Sequence, residues 1–192
     1  MKIYFASKNT GKMLSLVRDL SGMDVEIIQA PLDIPESRSS DVQKVARKKV
    51  AIAYEMMKEP ILAQDSGFFI DSLGGFPGAY VNYVLETIGI EGILTLVKNK
   101  TKKCEFRECL AYMDKSMPEP IFFTAEVKGA LSDEQRGNVQ KHHWSPLSLV
   151  FIPQGQKKTL AEMSYEEYLQ WHQLARTNSA SNQFARWLAE QK

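Results

Sequence analysis

Apolar positions change their spacing several times along this chain, and the changes mark its elements. A short apolar run, "KIYFA", gives way to the polar stretch "SKNTGK", after which Met13, Leu16, Val17 and Leu20 recur at helical spacing. The expected order is strand, polar loop, helix. A second run, "VEIIQA", predicts another strand. The segment "VQKVARKKVAIAYEMM" predicts an amphipathic helix in which Val42, Val45, Ala46, Val50, Ala53 and Met57 share one face, with Asp41 as its cap. "PILAQ" reads as a third strand that ends at Asp65. Helices are expected around "AYVNYVLETIG" and "EGILTLVKN", and long strands over "CEFRECLAYM" and "PIFFTAEVKGAL". A last strand falls at "SLVFIP", and a C-terminal helical region starts at Ser164, where Ser164 and Glu167 form a capping box. Strands and helices that alternate early, followed by longer strands, predict an α/β protein. Its form is expected to be an elongated, two-lobed, mixed twisted sheet with flanking helices and a central cleft at the strand ends. No repeat or linker divides residues 1–192, so one domain of two lobes is expected.

Composition narrows the class of protein but not its task. A hydrophobic fraction of 44% and a charged fraction of 24% are those of an ordinary globular chain. Lys and Arg number 24 against 23 Asp and Glu, so no global field favours nucleic acid or an anionic membrane, and a polyanionic ligand needs a local basic pocket. Cys104 and Cys109 stand five apart in a strand, which puts them on opposite faces and predicts unpaired, reduced thiols. The N-terminus lacks the apolar core and cleavage site of a signal peptide, and no run reaches the roughly 18 apolar residues of a membrane span. A cytoplasmic location without membrane attachment is expected. His142, His143 and His172 show no zinc-type spacing with the cysteines.

Three places carry candidate chemistry. The loop after the first strand offers Ser7, Asn9, backbone freedom at Gly11, the Lys12 cation and the N–H groups of a helix start, a combination suited either to phosphate or to plain capping. It lacks the spacing of a P-loop. The second place is "DSGFFIDSLGGFPG": Asp65 follows a buried strand, where a carboxylate is expensive to desolvate without a metal, a cation or several donors. The four glycines that follow suggest close approach to an occupant of the strand end, although a turn cap is the alternative. Glu36 is a second carboxylate in another loop, and Lys49 lies in the basic run of residues 47–49 on the intervening helix. Two carboxylates beside lysines are what Mg²⁺ and a triphosphate require: hard oxygen ligands for the ion and cations for the remaining charge.

"MKIYFASKNTGK", "QDSGFFIDSLGGFPGAY", "ETIGIEGIL" and "VFIPQGQKKTLAEM" together resemble the inosine triphosphate pyrophosphatase family, in its archaeal-type form. The four segments occur in the family's order over most of residues 1–163. The resemblance implies a homodimeric enzyme that uses Mg²⁺ to hydrolyse ITP, dITP and XTP to the monophosphate and pyrophosphate. Position by position it makes Ser7, Asn9 and Lys12 the triphosphate loop, with Lys8 where a glycine is usual. It makes Glu36 a metal-binding glutamate, Lys49 a substrate-binding lysine and Asp65 the metal-binding, catalytic aspartate. Ser66 and Gly67 follow at the phosphate.

The chain departs from that pattern at several places. Gln64 stands where the family has glutamate and Asn82 where it has a basic residue. "SPLS" at 145–148 lacks the aspartate of the base-reading segment. Tyr168 replaces a lysine, and "LARTNSAS" replaces a Ser-His-Arg triplet, leaving Arg176 as the one possible substitute. Metal and phosphate groups persist while base-reading groups change, which predicts shifted base selectivity with hydrolysis retained. A non-catalytic nucleotide-binding paralogue is the alternative, separated from the enzyme by nucleotide binding without turnover.

Overall fold

The computed structural model describes residues 1–35, 37 and 39–191. Strands and helices alternate as β1 (Lys2–Ala6), α1 (Thr10–Asp19), β2 (Glu26–Ala30), α2 (Val42–Met57) and β3 (Ile61–Ile70). They continue as β4 (Pro77–Gly78), α3 (Val81–Thr87), α4 (Gly89–Leu96), β5 (Lys103–Met113), β6 (Ile121–Leu131), β7 (Phe151–Pro153), α5 (Tyr165–Arg176) and α6 (Ala180–Glu190). The strands form one mixed sheet in the order β2-β1-β3-β5-β6-β7, with β4 paired to β3. β1 runs parallel to β2 and to β3, and the pairs β3/β4 and β6/β7 are antiparallel. The predicted α/β class with a mixed sheet is therefore present. Among the described residues no helix is long and apolar enough to cross a membrane.

The chain forms two compact units: Met1–Ser66 with Glu108–Ala125 and Asn178–Lys192, and Gly67–Arg107 with Glu126–Thr177. In the first, strand alternation turns Ile3, Phe5, Leu62, Leu110 and Tyr112 into one cluster with Leu16 and Leu20 of α1 and Phe184 and Leu188 of α6. Tyr112 and Phe184 meet at 5.3 Å between ring centroids. Each such side chain contributes roughly 1.5–3 kcal/mol on burial. Asp41 caps α2 as expected, accepting from the amides of Gln43 and Lys44, and Val42, Val45, Ala46, Val50 and Ala53 are its buried face.

The second unit packs Phe68, Ile70, Ile93, Leu147 and Phe151 into a separate core. Phe106 joins it, 4.7 Å from the Phe68 ring and 4.9 Å from that of Phe151. The Ser164–Glu167 capping box opens α5. The C-terminal region is not one helix but two, because Ser179 caps a new first turn by accepting from the Asn182 amide. The last strand is shorter than its apolar pattern, since Pro146–Leu149 closes a 3₁₀ turn capped by Ser145, and the proline nitrogen has no hydrogen for a ladder.

β3 corrects a further expectation. Asp65 is not at a strand end, because the strand runs on through Ser66 and Gly67 to Ile70. Nor does Gly67 clear room for a ligand. β4 lies against β3 with Phe68 opposite Gly78, and a Cβ at Gly67 would stand 2.6 Å from the Gly78 carbonyl oxygen. The glycine is there for the approach of two backbones. Gly67→Ala is expected to destabilise the protein by about 1–3 kcal/mol through overpacking. Urea unfolding measures this, and an unchanged midpoint would contradict the packing.

Candidate functional site

The site begins where β1 stops. Parallel pairing sets Tyr4 beside Ile61 and Phe5 beside Leu62. Continued in register, it brings Ala6 beside Ala63 and the loop at Ser7 alongside Gln64. β1 ends at Ala6 while β3 continues, and β4 pairs with β3 only further on, at Phe68 and Phe69. Gln29, opposite Phe5 on β2, donates from Nε2 to the Ser7 carbonyl oxygen at 3.0 Å and fixes the loop from the other side.

Within the loop the side chains first serve the helix. The Ser7 hydroxyl accepts from the Asn9 amide at 3.1 Å, and Asn9 Oδ1 accepts from the Lys12 amide at 3.0 Å. Gly11 has no left-handed backbone to excuse it. Its missing side chain leaves space for Asn9 Oδ1, which a Cβ would meet at 3.2 Å. Capping and ligand binding are not exclusive here, since the cap leaves the amides of Thr10 and Gly11 without intrahelical partners. Lys8 turns outward to Asp33, a solvated pair of little energetic weight.

Successive residues of β3 point to opposite faces of the sheet, so Asp65 and Gln64 serve different neighbours. On one face Lys49 of α2 places Nζ 2.8 Å from Asp65 Oδ1. The basic run 47–49 is therefore not wholly solvated: Lys49 is half-buried while Arg47 and Lys48 are exposed. Asp65 is 7% exposed, and its second oxygen, Oδ2, is buried with no hydrogen-bond partner among the described residues. A buried, unsatisfied carboxylate oxygen is costly and is suited to a ligand that brings positive charge. On the other face Gln64 Nε2 donates to Glu108 Oε2 at 3.0 Å, and Glu108 Oε1 accepts from the Ala180 amide at 2.9 Å.

Lys12 feels both faces. Burial pushes its ammonium below the ordinary lysine pKa, the charge of Asp65 pulls it back up, Lys49 lowers it and Glu108 raises it. Among the described residues it has no ion-pair partner within 4 Å. A desolvated cation without a direct partner, next to a lysine–aspartate pair and free helix amides, is a place for an anion with several charges.

The structure thus brings Ser7, Asn9, Lys12, Lys49, Asp65 and Ser66 into one unit. Gly67 falls in the other, against Gly78. Glu36 lies outside the described residues. The residues present fit a divalent cation in kind: Mg²⁺ takes hard oxygen ligands, one or two of them carboxylates, and completes its shell with water and phosphate. Asp65 Oδ2 is such an oxygen. Sequence reasoning missed Glu108, although a signal existed. It stands two residues before Leu110 and four before Tyr112, a carboxylate on the stripe that fills the core. The thiols are inert by contrast, as burial pushes Cys109 up to about 12 and Cys104 also up.

Solved structures with this architecture define the class. The Staphylococcus aureus Ham1 protein superposes with a TM-score of 0.82 at 25% identity over 100% of both chains. A HAM1 protein from Coxiella burnetii gives 0.81 at 21% identity over 99% of both. The Ham1 family profile matches residues 3–185, and the chain belongs to that family. Relatives include dITP/XTP pyrophosphatases of Methanopyrus kandleri, 34% identical over 97% of this chain and 96% of that one, and of Pyrococcus horikoshii, 34% identical over 98% and 97%.

The position of Lys12 has a consequence for stability. Its pKa is lower folded than unfolded, so between the two values the unfolded chain binds more protons and stability rises with pH. Below the folded value the ammonium is charged in both states and the full burial penalty stands. Lys12→Met is therefore expected to keep or raise the melting temperature at pH 7 and to abolish the rise towards the unfolded lysine pKa. A melting temperature that falls at pH 7 would contradict this.

Proposed function

We propose that this protein is a nucleoside triphosphate pyrophosphatase that hydrolyses non-standard purine nucleotides such as dITP, XTP and ITP to the monophosphate and pyrophosphate. The observation that carries the reading is the buried Oδ2 of Asp65, without a hydrogen-bond partner among the described residues, held beside Lys49 and within the field of Lys12. The names of the 34%-identical relatives agree with it.

In this reading the first turn of α1, with Ser7, Asn9 and Lys12, cradles the triphosphate, and Lys49 and Ser66 bind at its flank. Asp65 and Glu36 would hold Mg²⁺, and Asp65 would also act as the catalytic carboxylate. The ion, when bound, acidifies water and offsets charge on the leaving pyrophosphate. The chain's own contribution is position and field: Lys49 fixes the rotamer of Asp65, and the two ammonium groups meet charge that accumulates on the phosphates. Gly67 takes part through its backbone.

Base selectivity is expected to differ from that of relatives that keep the usual residues. Tyr168, where the resemblance places a lysine, is buried and donates its hydroxyl to the His142 carbonyl oxygen at 3.2 Å, so no cation is offered there. His142 packs 4.5 Å from its ring. The remaining parts of the proposal are a homodimer and a cytoplasmic place of work, without nucleic-acid or membrane partners. The near-neutral charge balance supports the last point.

A pyrophosphate-release assay over the standard nucleotides and dITP, ITP and XTP tests the reading. The wild type is expected to turn over at least one of them with Mg²⁺, and Asp65→Asn to lower that rate at least about 100-fold. A wild type inert across the whole panel with Mg²⁺ and with Mn²⁺ would overturn it.

A further inference from the structure

Glu108 has no role in the reading above, and its surroundings give it one. It sits on β5 on the same face as Gln64, half-buried, with both oxygens committed: Oε2 to Gln64 Nε2 and Oε1 to the Ala180 amide, the first residue of α6. A helix N-terminus favours negative charge, and two hydrogen bonds hold the carboxylate in a single orientation. Lys12 stands one turn before Leu16 on α1, which packs on Leu62 and Leu110, the residues that share this face with Gln64 and Glu108, and the carboxylate's charge reaches its ammonium there. Position 64, beside Asp65, is where the family resemblance places a glutamate and where this chain has an amide.

We propose that Glu108 supplies the carboxylate that position 64 lacks: the negative charge has moved from β3 to the adjacent strand, with Gln64 as its anchor. Glu108 is a positioning residue that works through Lys12. Lys12 then lies in the field of two carboxylates, Asp65 on one face of β3 and, more weakly, Glu108 on the other. Without Glu108 the burial of Lys12 is opposed by one charge fewer, the amine is held less firmly as an ammonium, and its grip on phosphate weakens. The inference rests on the proposed pyrophosphatase reading for its kinetic part and on packing alone for the rest.

The test is a charge exchange among Glu108→Gln, Gln64→Glu and the double variant, each measured for melting temperature and for kcat/KM with dITP. Glu108→Gln can keep both hydrogen bonds, since its oxygen still accepts from Ala180 and its amide meets Gln64 after a flip. Its melting temperature is expected to fall by less than about 4 °C while kcat/KM falls about tenfold. Gln64→Glu places two carboxylates at hydrogen-bond distance and is expected to lower the melting temperature by at least about 4 °C. The double variant restores one charge and one amide and is expected to recover both readouts. Glu108→Gln with wild-type kcat/KM would overturn the proposal, as would a double variant no better than either single one. If the wild type hydrolyses nothing, the function proposed above fails. The melting temperatures still decide whether the two positions share one charge.

Discussion

A carboxylate inside a sheet needs a counter-charge, and at Asp65 the chain answers only half of that need. Lys49 satisfies Oδ1 at 2.8 Å, and Oδ2 is left buried without a partner among the described residues. Replacing Asp65 and Lys49 together by apolar residues would relieve the sheet of that penalty, which makes the pair hard to explain as a device for stability. The same imbalance is repeated in the opposite sign at Lys12, a cation drawn out of water with no direct anion among the described residues. Together the two features ask for a ligand that brings a cation to one and an anion to the other, as a metal-bound polyphosphate does.

What makes both available at one place is the unequal length of two strands. β1 ends at Ala6, and β3, its parallel neighbour, runs on to Ile70. Just past the end of β1, Gln64 and Asp65 turn to opposite faces of β3, before β4 pairs with it at Phe68. That is how Lys12 senses Asp65 from one face and Glu108 from the other. The core holds the arrangement in place: Leu16 and Leu20 anchor α1 against Ile3, Phe5 and Leu62, so the turn that carries Lys12 follows from the packing of its own helix.

Much of this was legible in the sequence, and what was missed has physical causes. Helical spacing and a capping aspartate located α2 to the residue, because the apolar face, cap and helix propensity agreed. Lys49 could be named from resemblance but not from its charge run, since only burial separates it from Arg47 and Lys48. The extent of β3 was hidden because Asp65, Ser66 and Gly67 read as a turn. Gly67 in fact continues the strand against Gly78, a pairing that local sequence does not encode. The break between α5 and α6 lay in Ser179, one of several neighbouring residues, Asn178, Ser181 and Asn182 among them, that could each cap a turn. Glu108 escaped notice because a carboxylate in a strand usually faces solvent, and the fact that set it apart, its neighbour Gln64 on another strand, is a tertiary one.

The most direct test of the central claim is the reactivity of individual lysines towards an amine-modifying reagent, read by mass spectrometry with and without a slowly hydrolysed dITP analogue and Mg²⁺. The account predicts that Lys12 and Lys49 are both protected by the triphosphate with the ion and by neither the nucleoside nor the ion alone, with exposed Lys48 on the same helix unchanged. Equal labelling of Lys12 and Lys49 in the presence and absence of a saturating triphosphate would contradict it.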